Sequence, residues 1–240
     1  MILIAAKVPK VNSFKCCILV KASKGSYLSD GINHPGKREI RQVMKISEVK
    51  SHLSKFMVGI AGAGGLGSNC AVALARSGIG TLVIADFDIV ELQNLNRQYY
   101  FTSQVGLMKT DALRENISII NPEVNVITHQ KKLDRQNISE IFSGCNVIVE
   151  AFDNAEMKEM LIETVQMKMS AIPLIVGSGM AGWGRSNEII CRKIDNTLYV
   201  CGDESSEVSE NMPPLAPRVA MVANMQANVV VDILMNIISD

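Results

Sequence analysis

The stretch Val58-Gly-Ile-Ala-Gly62-Ala-Gly64-Gly65-Leu-Gly67-Ser-Asn69 decides the fold. An apolar run at 57–61 has the length of a buried strand, and a Gly62-x-Gly64-x-x-Gly67 pattern follows it directly. Glycines so placed allow a tight turn and let backbone N–H groups approach a phosphate at the N-terminus of the next helix. A second apolar run, 82–85, ends at Asp86, nineteen residues after Gly67. A carboxylate there can accept the hydroxyls of a ribose. These features together fit any adenine nucleotide.

Outward from this stretch, apolar runs that end in Gly, Asp or Asn alternate with helix-like segments, the pattern of a mostly parallel sheet. Strands are predicted near 57–61, 81–85, 124–128, 146–150 and 173–177. A small-residue helix over 66–77 and an amphipathic one over 109–120 lie between them, with Asn121-Pro122 stopping the second. Segments 187–193 and 197–201 flank Ile194-Asp195-Asn196 and read as an added antiparallel hairpin. An acidic loop, 202–217, leads to a long apolar helix predicted over 218–238. The fold class expected is α/β, Rossmann-like, with helices on both faces of the sheet. No internal repeat or low-complexity tract interrupts it.

The chain of 240 residues is 48% hydrophobic and 20% charged, enough to bury a full core without disulfides. Its formal net charge is zero and no Lys/Arg block stands out, so neither nucleic acid nor an anionic membrane is expected as a partner. The apolar opening at 1–6 is too short for a secretory core, and a cytoplasmic location is expected. Cys16, Cys17, Cys70, Cys145, Cys191 and Cys201 form no Cys-x-x-Cys pair, so no zinc is expected. Residues 1–50 read as an N-terminal extension of unclear role, with strand-like runs at 2–6 and 17–20 and a Gly/Pro-bearing loop at 24–36. Residues 51–240 read as the nucleotide-binding domain.

Past Asp86, the run Asp86-Phe87-Asp88-x-Val90 is followed by Asn94-Leu95-Asn96-Arg97-Gln98, by Lys109, and by Asp153-Asn154 after a strand. With Gly177-Ser178-Gly179, Cys201-Gly202-Asp203-Glu204 and Ala216-Pro217-Arg218-Val219, these residues resemble the ThiF/MoeB superfamily of ubiquitin-like-protein activating enzymes. The similarity spans roughly 50–236 and is closest to the zinc-free branch that activates the sulfur carrier ThiS. The resemblance implies that ATP is attacked at its α-phosphorus by the C-terminal carboxylate of a small carrier protein, giving an acyl-adenylate and pyrophosphate. It also implies Mg²⁺, a homodimer, and a role in thiamine thiazole synthesis or a related sulfur pathway.

The same resemblance assigns the residues. Gly62, Gly64, Gly65 and Gly67 line the nucleotide, Asp86 holds the ribose, and Asp88 ranks below it as an orienting group. Asn94, Arg97 and Lys109 surround the triphosphate, the two cations stabilising charge that develops during in-line displacement. Asp153 holds Mg²⁺ and Asn154 lies at the nucleotide. An arginine ahead of the first strand, Arg41 in preference to Arg38, crosses to the partner's γ-phosphate. Read singly, Asp153 and Asn154 equally suit capping of a helix that begins near Ala155, and Lys109 suits a solvated first turn. Cys201, at a strand end before the acidic loop, is the candidate for a covalent acyl intermediate, with an ordinary strand-end cysteine as the competing assignment. The acidic loop could steer a carrier tail and Trp183 could cover the site. Two other functions fit parts of the pattern. One is adenylation of a small molecule or a modified tRNA base; the other is an NAD(P)-dependent oxidoreductase, which needs only the glycines and Asp86.

Overall fold

The computed structural model describes residues 44–237. Helix α1 (Ile46–Leu53) leads into β1 (Met57–Ala61), α2 (Gly65–Ser77), β2 (Thr81–Ala85), α3 (Lys109–Ile120), β3 (Asn125–His129), α4 (Asn137–Phe142), β4 (Val147–Glu150), α5 (Ala155–Lys168) and β5 (Leu174–Gly177). The hairpin β6 (Ile190–Lys193) and β7 (Leu198–Gly202) follows, then α6 (Ala216–Met235). The seven strands lie in the order β3-β2-β1-β4-β5-β7-β6. Every neighbouring pair is parallel except β6 with β7.

Period-2 alternation divides the core between two faces. Val58 and Ile60 of β1, Leu82 and Ile84 of β2, and Val147 and Val149 of β4 pack with α1, α2, α3 and α6. Ala61, Val83, Ala85, Ile148 and Val176 face Ile138 and Phe142 of α4 and Leu161 and Val165 of α5. Runs apolar at every position are what a sheet covered on both sides requires. Both crossovers and strand order follow: the chain winds from β1 to β3 on one side, then returns to place β4 on the other. Helix α2 ends at Gly78 in the left-handed region (φ 94°), and α3 ends at the Asn121 cap.

Several boundaries move. Strand β3 sits one residue later than predicted, and β6 is shortened because a 3-10 turn, Ser186–Glu188, takes up its start. Helix α6 begins at Ala216 rather than 218, since Pro217 suits a first helical turn, and ends at Met235. Its length and apolarity are those that a membrane span also has. Here Val219, Val222, Ala223, Gln226, Val230 and Leu234 are buried in the domain core. Helix α1 straddles position 50, where the sequence places the start of the domain, and its Leu53 is fully buried. Arg38, Arg41 and the strand-like runs at 2–6 and 17–20 lie outside the described residues.

Candidate functional site

The order of winding reverses between β1 and β4, and in an open parallel sheet ligands bind in the crevice at the carboxyl ends of such strands. The glycine loop fills that position. Gly62 has φ 101°, and a Cβ on it would stand 2.9 Å from the Ala151 carbonyl oxygen at the end of β4. A Cβ on Gly67 would fall 1.8 Å from the Gly62 oxygen, so the first turn of α2 lies directly on the loop. The first N–H groups of a helix have no intrahelical acceptor, which leaves this turn able to bind an anion.

Side chains from the segment after β2 fasten the loop. The Tyr100 hydroxyl donates to Ala63 O at 2.7 Å, and Ser68 Oγ donates to Gly64 O at 2.6 Å while accepting from Tyr99 N. Asn69 Nδ2 bridges Gly65 O and Arg97 O at 2.7 and 2.9 Å. These bonds bring Arg97 over the start of α2, its Cγ 3.6 Å from where a Gly65 Cβ would be. Among the described residues its guanidinium donates to exposed neighbours, Asn96 Oδ1 and Gln93 O, and it is partly exposed.

Asp86 closes the other side. Its Oδ2 accepts from Ala63 N at 2.6 Å and its Oδ1 from Asp88 N at 2.8 Å. Burial pushes this carboxyl up, and the two backbone donors and Lys109 offset only part of that. Each carboxylate oxygen has a second lone pair free for a hydroxyl donor. Lys109 is not a solvated first-turn lysine: it is buried and its Nζ lies 2.7 Å from Asp88 Oδ2. Among the described residues the other two ammonium protons have no acceptor. Asp88 therefore positions the lysine. Asn94 is buried and its Oδ1 accepts from Glu91 N at 3.1 Å, shaping the turn that delivers Arg97.

Asp153 follows β4 by three residues and is exposed, with no hydrogen bond or ion pair among the described residues. Asn154 caps α5, its Oδ1 accepting from Met157 N at 3.0 Å, so the capping role considered from sequence belongs to Asn154 and not to Asp153. A lone carboxylate on the site edge suits a hard cation held by one carboxylate, phosphate oxygens and water. Among the described residues no group of three or more His, Cys, Asp or Glu gathers into a metal cluster.

Two expectations need correction. Cys201 is fully buried under α2 and α6, opposite Cys191 in the β6–β7 register. Burial, then its neighbours Cys191 and Cys70, push the thiol far up, the reverse of what a nucleophile needs. The strand end is covered by the core helices. The acidic loop is also less available than its composition suggests. Asp203 is paired with buried Arg218 and with Arg185, and Glu204 with Arg192; among the described residues Glu207 and Glu210 are the loop's carboxylates without an ion pair. Trp183 is 68% exposed beside Gly182 and Gly184, both at positive φ.

Sequence reasoning gave no role to Glu150, Lys158, Arg218 or Gln226, all of which bond at this sheet edge. The available signal was the ionisable Glu150 closing the otherwise apolar run of β4.

The chain is 34% identical over 185 residues to the adenylyltransferase and sulfurtransferase MOCS3 of Caenorhabditis briggsae, covering 74% of this chain and 45% of that protein. It is 34% identical over 134 residues to the adenylyltransferase and sulfurtransferase UBA4 of Saccharomyces cerevisiae, covering 55% and 30%. The chain thus spans less than half the length of these relatives. The structure of Escherichia coli tRNA N6-threonylcarbamoyladenosine dehydratase, TcdA, in complex with ATP superimposes with a TM-score of 0.71 at 22% identity over 78% of this chain and 89% of that one, a likeness of fold. The model of the ThiF family matches residues 37–240: the chain belongs to the ThiF family, within the ThiF/MoeB superfamily.

Proposed function

We propose that this protein is an ATP-dependent adenylyltransferase that activates the C-terminal carboxylate of a ubiquitin-like sulfur carrier protein of the ThiS type, for thiamine thiazole synthesis. The observation that carries it is the convergence, on one sheet edge, of an open glycine cradle, a ribose-type carboxylate and two cations, Arg97 and Lys109. A dehydrogenase would use the glycines and Asp86 but has no need of the cations or of Asp153.

In this reading a carrier carboxylate oxygen forms a bond to the α-phosphorus while the bond to the β-phosphate oxygen breaks, and pyrophosphate leaves. Attacker and target are both anions. The first turn of α2 and the Lys109 ammonium hold the phosphates, and Arg97, over the start of α2, stabilises the charge that migrates to the leaving group. Each such group is worth a few kcal/mol, roughly 10²- to 10³-fold in rate. Asp153 would hold Mg²⁺, which when bound neutralises phosphate charge. The reading extends to a cytoplasmic homodimer in which Arg41, or Arg38, reaches the nucleotide of a second copy. The relatives' names, which pair adenylyltransferase with sulfurtransferase, support a carrier substrate.

The test is ATP–pyrophosphate exchange with purified protein, Mg²⁺ and a ThiS-type carrier ending in Gly-Gly. Exchange should require the intact carrier tail and fall at least about 100-fold in Asp153→Ala, in line with loss of one electrostatic group in the transition state. Exchange driven by a small molecule or tRNA without carrier, or tighter binding of NAD than ATP, would overturn the reading.

A further inference from the structure

Glu150, the last residue of β4, is fully buried, and the proposed chemistry has no use for it. A carboxylate in a dry core is costly, and burial pushes this one up despite its partners. A pair of apolar side chains of similar volume would serve stability as well or better. What apolar side chains could not supply is direction. Glu150 Oε1 accepts from Phe152 N at 2.7 Å, and Oε2 accepts from Lys158 Nζ and from Gly177 N, the last at 3.3 Å. Lys158 Nζ also donates to Gly177 O at 2.7 Å, and Gln226 Nε2 donates to the Glu150 carbonyl at 2.9 Å. One carboxylate thereby fixes the ends of β4 and β5, the first turns of α5 and the turn at 151–153 together.

Four residues, 151–154, carry the chain from strand to helix, the last of them the helix cap. The turn is held at one end by the Glu150–Phe152 bond and at the other by the Asn154 cap. Asp153 lies between the two anchors and has no partner of its own among the described residues. We infer that Glu150 and Lys158 are positioning residues: they hold the 151–153 turn so that Asp153 presents its carboxylate to the metal-bound triphosphate. The inference rests on the proposed function for the ligand, and on the hydrogen bonds above for the mechanism.

The experiment is equilibrium binding of ATP to the full chain with Mg²⁺ and with EDTA, for wild type, Asp153→Ala, Glu150→Gln and the double variant. The quantity read is the gain in ATP affinity that Mg²⁺ confers. Groups that orient a metal-binding side chain typically change metal affinity about 10- to 100-fold. Glu150→Gln should lose about tenfold of the gain with its EDTA affinity unchanged. It should have no further effect when Asp153 is already alanine, because both act through one carboxylate. Should Glu150→Gln fail to fold, the pair Glu150→Met with Lys158→Met supplies a charge-free filling of similar volume that tests the same loss. A variant that folds and keeps the full Mg²⁺ gain, or one that loses ATP affinity equally with and without metal, overturns the inference. So does a wild type that gains nothing from Mg²⁺. Absence of carrier-dependent exchange would sink the functional reading alone, since the binding cycle decides this inference without it.

Discussion

Gly64 and Gly67 share one motif but exist for different physical reasons, and alanine at each separates them. At Gly67 a Cβ would lie 1.8 Å from the Gly62 carbonyl oxygen and 3.2 Å from the Ala151 Cβ. The obstacle is backbone, so no rotamer relieves it and the loop or the helix must move. Overpacking of this kind costs about 3 kcal/mol at the upper end of its range, and a helical Gly→Ala change returns about 1 kcal/mol of propensity. The net loss of about 2 kcal/mol corresponds to a fall in Tm of about 4–8 °C for a chain of this size. At Gly64 the nearest atom is Gln98 Nε2 at 3.8 Å, an ordinary contact, and φ is −75°. Gly64→Ala should therefore melt within about 2 °C of wild type. Its methyl group, however, stands on the open face where a phosphate must approach, and ATP affinity should fall at least tenfold, about 1.4 kcal/mol. Thermal unfolding and calorimetric ATP titration of the two variants measure both quantities. A Gly67→Ala protein as stable as wild type refutes the packing argument. A Gly64→Ala protein with unchanged ATP affinity refutes the assignment of that face to the ligand.

The Arg218–Asp203 pair and the cysteines give further tests. Removing one partner of a buried pair leaves the other charge uncompensated, so Asp203→Asn should cost about 3–5 kcal/mol, Arg218 being 3% exposed. Burial pushes the Asp203 carboxyl up, but the N–H groups of Ser206 and Ser205 and the Arg218 guanidinium outweigh it and hold the group well below the usual carboxylate range. Its contribution is present above the unfolded carboxyl value of about 3.9 and is lost as pH falls through the folded one. Urea midpoints for wild type and Asp203→Asn should then differ at pH 7 and converge in acid; equal midpoints at pH 7 would refute the pair's role. Among the described cysteines, Cys191 alone is exposed, while burial pushes Cys70 and Cys145 up to about 12 and Cys201 up as well. Alkylation at pH 7.5 read by peptide mass spectrometry should label Cys191 and spare the other three until urea is added, and rapid native labelling of Cys201 would restore it as a candidate nucleophile.

The parts of this protein legible in sequence are those whose signal lies within a few residues of its consequence. The glycine loop, the strands on either side of it, the helix 109–120 and its Asn121 stop are local patterns, and the structure sets them within a residue of where the sequence does. The six-residue α4 escaped because Ile138 and Phe142 alone define its buried face, too little for a periodicity. Depth was the other missing quantity. Cys201 at a strand end looks accessible along the chain, yet α2 and α6, distant in sequence, cover that end. Asp203 and Glu204 look like a steering charge until Arg218 and Arg192 arrive from other elements to neutralise them.

The same distinction bears on how the site is built. Residues that can touch a nucleotide, from Gly62 to Lys109, sit in loops and first helical turns and were readable as a motif. Those that hold them in place, Tyr100 on Ala63, Asp88 on Lys109 and Glu150 on the 151–153 turn, act across strand and helix boundaries. The Tyr100 and Glu150 side chains are buried with their polar atoms hydrogen-bonded, which is the arrangement preorganisation requires: a phosphate or carboxylate entering the crevice meets donors already aimed, and little reorganisation is left for the reaction step. A substitution that preserves every contacting residue but loosens one of these anchors should therefore lower the rate or the metal dependence before it lowers nucleotide affinity, and Glu150 is the anchor at which the two effects are separable.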